Sequence, residues 1–302
     1  MKVLLTGAAG QLGQALIASR PPEVELIACS RSELDLADAD ADACRAAVQQ
    51  HRPDWVLNAG AYTAVDKAES EPELAAAVNA GAPAAFAEAL AATGGRLLQV
   101  STDFVFNGAQ GSPYRPEQRL DPLGVYGATK AAGEAAALQL PGARLLRTSW
   151  VYGPVGKNFC RTMLRLHALK AAAGESLGVV ADQVGCPTST LTLAAACWRA
   201  IGVGADPAVD PSGPRILHWS DAGAASWYDF AVAIGELGVE AGLLERAASV
   251  KPLTTADYPT PAQRPSYSLL DCTASRAALG LEPLHWREGL AEVLRCMAAA
   301  RP

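Results

Sequence analysis

A chain of 302 residues, 50% hydrophobic and only 19% charged, can bury one large core and carry a smaller appendage. Its net charge of −6 and lack of a long basic run argue against nucleic acid as its main partner. The opening MKVLLTGAAG breaks into glycines too early for a secretory signal, and no stretch reads as apolar enough to span a membrane, so a cytoplasmic protein without a membrane partner is expected.

KVLLT (2–6) is the first predicted strand, followed by a helix near 11–20. Between them TGAAGQLG places Gly7, Gly10 and Gly13, with Gln11 and Leu12 in the same turn. Glycines let backbone approach a pyrophosphate, and a helix N-terminus offers N–H groups and positive dipole. Any tight strand-to-helix turn also uses glycine, but this placement after an N-terminal strand points to a dinucleotide. VELIAC (24–29) is the second strand and runs out at Ser30 and Arg31, with Asp35 and Leu36 just beyond. NAD sites place an acid there for the ribose 2′-hydroxyl, whereas a hydroxyl and a guanidinium suit a 2′-phosphate. NADPH is therefore the expected cofactor, and nearby Glu33 leaves NADH open as a second.

A brief LDL precedes a helix predicted near 39–50. Its start, DADAD (Asp38–Asp42), imitates half a calcium loop. Ala43 stands where that loop needs glycine and Gln49 where it needs a bidentate glutamate. A solvated acidic helix start is the better reading. DWVLN (54–58) is the third strand, and NAGAYT puts Ala59, Gly60, Ala61 and Thr63 at its end as cofactor candidates. A helical stretch near 70–92 leads to RLLQVS (96–101), which runs into Thr102 and Asp103.

The next predicted helix starts near Tyr126 and carries Lys130 four residues later. Such a pair shares a helix face, and an adjacent ammonium favours the phenolate. An exposed Tyr–Lys contact is the plain alternative. ARLLRTS (143–149) is followed by Trp150, then by a helix near 158–173 that Lys157 and Asn158 open. After about residue 175 the rhythm loosens, with Pro and Gly clustered at 202–214 and 252–265.

Apolar strands alternating with helices predict an α/β fold, a Rossmann-like doubly wound parallel sheet. Residues 1–150 are expected to form mainly the dinucleotide-binding part. Residues 151–302 are expected to form mainly a smaller, less regular lobe, with some segments returning to the first. Seven scattered cysteines without a C-x-x-C read as buried thiols, and four dispersed histidines offer no metal cluster. Ligands of such sheets sit beyond the strand C-termini. Gly7, NAGAYT, STDF and TSWVY all collect there, so Thr102 is expected to face Tyr126 across a substrate carbonyl.

The glycine pattern, a Ser/Thr after a strand and Tyr-x-x-x-Lys together resemble the extended short-chain dehydrogenase/reductase family. NAGAYTAVDKAESE (58–71), STDFVFNG (101–108), YGATKAAGE (126–134), LRTSWVYG (146–153), DQVGCPT (182–188) and RPSYSLLD (264–271) are similar to its dTDP-4-dehydrorhamnose reductase branch. Gly60, Phe104 and Asn107 depart from the expected Ala, Tyr and Asp. The resemblance implies NADPH-dependent reduction of the C4 ketone of a nucleotide sugar, a small-molecule substrate. Tyr126 would act as general acid. Lys130 would lower the phenol pKa and hold the nicotinamide ribose. Thr102 would bind the ketone, and Asp103 would orient the sugar or cap the turn. Trp150 would pack on the sugar or in the core. Lys157, Asn158 and Arg264 would receive the substrate diphosphate, with an ion pair as the alternative for Arg264. A related dehydratase or epimerase, and a non-catalytic module like the regulatory subunit of methionine adenosyltransferase, are the rival readings. A homodimer and a Mg2+ requirement are left open.

Overall fold

The computed structural model describes residues 1–38, 41–204 and 213–300. Six parallel strands form the central sheet: β1 (Lys2–Thr6), β2 (Glu25–Cys29), β3 (Trp55–Asn58), β4 (Arg96–Thr102), β5 (Arg144–Thr148) and, from the second half of the chain, β10 (Ile216–His218). Their order is β10-β5-β4-β3-β1-β2. From β1 the chain crosses one way to β2, and from β3 it proceeds the other way. The switch point therefore lies between β1 and β3, where doubly wound sheets open their ligand crevice.

Both faces of the sheet are covered, which is why the strands are apolar at consecutive positions. Val3, Leu5, Leu57, Leu98 and Leu146 meet α1 (Gln11–Ala18) and α8 (Thr190–Ala200) on one face. Leu4, Val56, Leu97 and Leu145 meet α2 (Asp42–His51), α5 (Ala82–Thr93) and α6 (Val125–Ala137) on the other. In the acidic stretch ahead of α2, Ala39 and Asp40 lie outside the described residues. The Asp38 carboxylate accepts the Ala43 N–H, as suits a helix start.

The helical stretch before β4 is not uniform. Short α3 (Val65–Ala68) and α4 (Pro72–Ala76) precede a π-helical turn, Ala77–Gly81, which runs into α5. Pro83 has no N–H to offer the Asn79 carbonyl one turn back, which favours such a local widening. The freed carbonyl packs against α6 at Gly133, where any Cβ would collide with it. The helical run Pro72–Thr93 also corrects the expectation that no stretch is apolar enough to cross a membrane. At 22 residues it is, by length and composition, yet half of its most apolar window is buried inside this fold.

A second core gathers around Tyr152, Phe230, Ile234 and Trp286. It is built from α7 (Phe159–Ala173), α9 (Trp227–Glu240), α11 (Trp286–Ala299) and the parallel pair β7 (Leu177–Val180) with β12 (Val250–Leu253). Short pairs join β6 (Val151–Tyr152) to β9 (Thr188–Ser189) and β8 (Val184–Gly185) to β11 (Ala225–Ser226). Helix α10 (Thr273–Leu279) packs back on the first core. Of the 202–214 cluster, residues 205–212 lie outside the described residues. Six cysteines are buried, but Cys296 is exposed, against the expectation for all seven.

Candidate active site

The glycine turn is a cradle that side chains would fill. Gly7 has φ +66°, and a Cβ on it would come within 2.8 Å of Gly60 Cα at the end of β3. A Cβ on Gly13 would lie 2.7 Å from Ala8 Cα and collide with the Gly7 carbonyl. Gly10 caps α1 without any side chain over the helix end. Close backbone and uncovered N–H groups fit the pyrophosphate of a dinucleotide. Leu12 is buried in the core beneath, and Gln11 reaches the other half of the molecule, accepting from Asn158 Nδ2 at 2.9 Å. Beyond β2, the Ser30 N–H donates to Glu33 Oε2 at 2.7 Å, and the Arg31 side chain, 77% exposed, contacts Asp35 Oδ1 at 3.3 Å. Leu36 is buried under Gly60, while Ala59 and Ala61 are half-buried and Thr63 is exposed.

Polar residues inside apolar strands tie this cradle to α6. Thr6 Oγ1 donates to Asn58 Oδ1 at 2.5 Å, Asn58 Nδ2 to Gln99 Oε1 at 2.7 Å, and Gln99 Nε2 to the Val100 carbonyl at 2.8 Å. Lys130 Nζ donates to the same carbonyl at 2.7 Å. The sequence reading missed Asn58 and Gln99, though buried amides in strand cores are a readable signal, because each must find a partner. Asn79 fastens α6 to NAGAYT, donating to the Tyr62 carbonyl at 3.1 Å and to Thr129 Oγ1 at 3.2 Å. The Glu69 carboxylate accepts the Val125 N–H at 2.9 Å, which satisfies the α6 N-terminus and places an acid at its positive end.

Tyr126 and Lys130 thus sit on one buried face of α6, not on an exposed one. The Tyr126 ring stands edge-on to Phe104 at 5.4 Å. The expected lowering of its pKa does not occur. Burial pushes the phenol up to about 12, while the Thr102 hydroxyl opposes this and the Asp103 charge adds to it. Burial also pulls Lys130 down to about 8, against the field of Glu134. Desolvation dominates both groups, and the ammonium is engaged by a backbone carbonyl rather than by the phenol.

Thr102 Oγ1 donates to Asp103 Oδ1 at 2.9 Å and accepts the Phe104 N–H at 3.2 Å. Asp103 is 2% exposed, and burial raises its carboxyl to about 6. The Ser268 and Thr102 hydroxyls oppose that rise, although Asp103 Oδ2, Ser101 Oγ and Thr148 Oγ1 are buried without a partner at full hydrogen-bond geometry. All three lie at the C-terminal ends of β4 and β5.

The remaining candidates have partners of their own. Trp150 holds a left-handed backbone, φ +47°, and stacks on Trp227 at 3.5 Å, its indole pressed against Gly185. Asn158 caps α7 through the Arg161 N–H at 2.9 Å, and Lys157 beside it is exposed. Arg264 pairs with Asp66 at 2.9 Å, the ion pair that was its alternative reading.

The family model described as RmlD substrate binding domain matches residues 1–299. A dTDP-4-dehydrorhamnose reductase of Sinorhizobium fredii is 40% identical over 294 residues, covering 95% of each chain. The crystal structure of such a reductase from Clostridium acetobutylicum superposes with a TM-score of 0.86 at 35% identity, over 98% of this chain and 99% of that one. One from Bacillus anthracis, in complex with NADP, gives 0.84 at 32%, over 97% and 98%.

Proposed function

Because the chain belongs to the RmlD substrate binding domain family, we propose that it reduces the C4 ketone of dTDP-4-dehydro-β-L-rhamnose to dTDP-L-rhamnose with NADPH, a step of dTDP-rhamnose biosynthesis. The observation that carries the reading is the meeting of Thr102, Tyr126 and Lys130 beside the glycine cradle, at the C-terminal edge of the sheet. Gly7, Gly10 and Gly13 would receive the pyrophosphate of NADPH, Ser30 and Arg31 its 2′-phosphate, and Lys130 its ribose. When bound, NADPH supplies the hydride. Tyr126 gives its phenolic proton to the oxygen of the forming alcohol, and a phenol held near 12 carries that proton throughout the neutral range. Thr102 now spends its single hydrogen on Asp103, so donating to the ketone requires that hydroxyl to rotate.

The first 150 residues would hold mainly the cofactor and the rest mainly the nucleotide sugar, with Trp150, Lys157, Asn158 and Arg264 on the substrate side. A cytoplasmic homodimer is the proposed state; light scattering against the 31.3 kDa chain mass checks the assembly. The decisive assay is NADPH oxidation with dTDP-4-dehydrorhamnose. Intact NADPH binding without oxidation would point to a regulatory module. A 4-keto-6-deoxy product from dTDP-glucose with catalytic NAD would point to a dehydratase, for which Phe104 supplies no acid or base.

A further inference from the structure

Helix α6 carries a third buried side chain in line with Tyr126 and Lys130: Glu134, one turn further on. Arg147 on β5 grips both of its oxygens, Nε to Oε1 at 2.8 Å and Nη2 to Oε2 at 2.7 Å. Arg147 is itself 2% exposed. Its Nη1 donates to the Pro116 carbonyl at 2.8 Å and approaches His218 Nε2 at 3.2 Å, and its guanidinium lies 5.2 Å from the Phe106 ring centroid. Arg147 pairs in register with Ser101, the residue before Thr102. The ion pair therefore ties the helix bearing Tyr126 and Lys130 to the strands that end at Thr102 and Thr148.

A buried ion pair is a poor stability device, because apolar residues of similar volume do about as well. What apolar residues cannot supply is a field. Lys130 is a buried cation whose hydrogen-bond partner, the Val100 carbonyl, is neutral. Of the charged and titratable groups on the elements packed here, Tyr126 and Glu134 share its helix face, Arg147 on β5 holds Glu134, His218 on β10 approaches Arg147, and Asp103 after β4 acts on Tyr126. His218 is neutral, since burial takes it down to about 3. Glu134 is the group that favours the ammonium. We propose that the Glu134–Arg147 pair is a positioning device for Lys130: Glu134 supplies the negative field that keeps the lysine charged, and Arg147 occupies the carboxylate so that it cannot draw the ammonium away from the active site. The inference rests on the reductase reading for the role of Lys130, but its test does not.

The test follows Lys130 by NMR in protein labelled with ε-13C-lysine, the Lys130→Arg variant assigning its resonance among six lysines. Glu134→Gln should move the Lys130 midpoint down by about one pH unit. The alkaline limb of kcat/KM should move with it. Arg147→Met should move the midpoint up and weaken NADPH about tenfold, as the freed carboxylate takes the ammonium. If Arg147→Met does not fold, Glu134→Gln decides alone. A Lys130 midpoint unmoved in Glu134→Gln, with only the melting temperature lowered, overturns the proposal and leaves the pair structural. A shifted midpoint in a protein that never oxidises NADPH supports the pair's role and sinks the reductase reading instead.

Discussion

At the scale of single residues, burial sets the chemistry of the site. Tyr126→Phe removes the proposed proton donor without opening a cavity. Turnover should fall about a hundredfold or more, the usual scale for a general acid, with NADPH affinity kept. In the wild type the rate should fall as pH rises through about 8, where Lys130 loses its charge, and not near 12, where Tyr126 loses its proton. A pH profile of kcat/KM reads this directly. Asp103 offers a stability counterpart. Its carboxyl is raised from 3.8 to about 6 in the folded state, so its contribution to stability declines as pH rises from about 4 through 6. Asp103→Asn escapes that cost. It should be more stable than the wild type at pH 8 by about 1–3 kcal/mol, the gap closing toward pH 4. Thermal melts at the two pH values would check it, and a gap independent of pH would contradict it.

Among elements, the contact between α6 and the π-helical turn holds in place the helix that carries Tyr126 and Lys130. Pro83 leaves the Asn79 carbonyl without its helical donor, and Gly133 lets α6 come down on it. Gly133→Ala puts a methyl into backbone that cannot yield. Overpacking of this kind costs about 1–3 kcal/mol, so the melting temperature should drop. Turnover should drop as well, since Tyr126 and Lys130 ride on the displaced helix. Full activity with lowered stability would show that the site tolerates the shift. None of this was legible in advance. The apolar pattern over 70–92 reads as one helix, and the consequence of a proline depends on what packs beside the freed carbonyl.

For the whole molecule, the two cores are joined where Asn158 at the start of α7 donates to Gln11 in the glycine turn. Asn158→Ala should cost about 1 kcal/mol as a lost helix cap. It should also weaken NADPH, because the turn loses its tie to the second lobe; fluorescence titration and melting would report the two effects separately. The sequence by itself determined the parallel sheet, the sheet edge where the polar candidates collect, the glycine turn and the placing of Tyr126 and Lys130 on one face of one helix. Each of these is written in spacing over a few residues, where backbone geometry leaves few choices. Tertiary structure alone decided the rest. It gave Arg264 to Asp66 across 198 positions and Trp150 to Trp227, buried half of the most apolar window of a helical run that a membrane would accept by length, and raised the phenol that its neighbouring lysine was expected to lower. Partner choice and desolvation depend on which distant segments arrive at the same point, and local spacing carries no record of that.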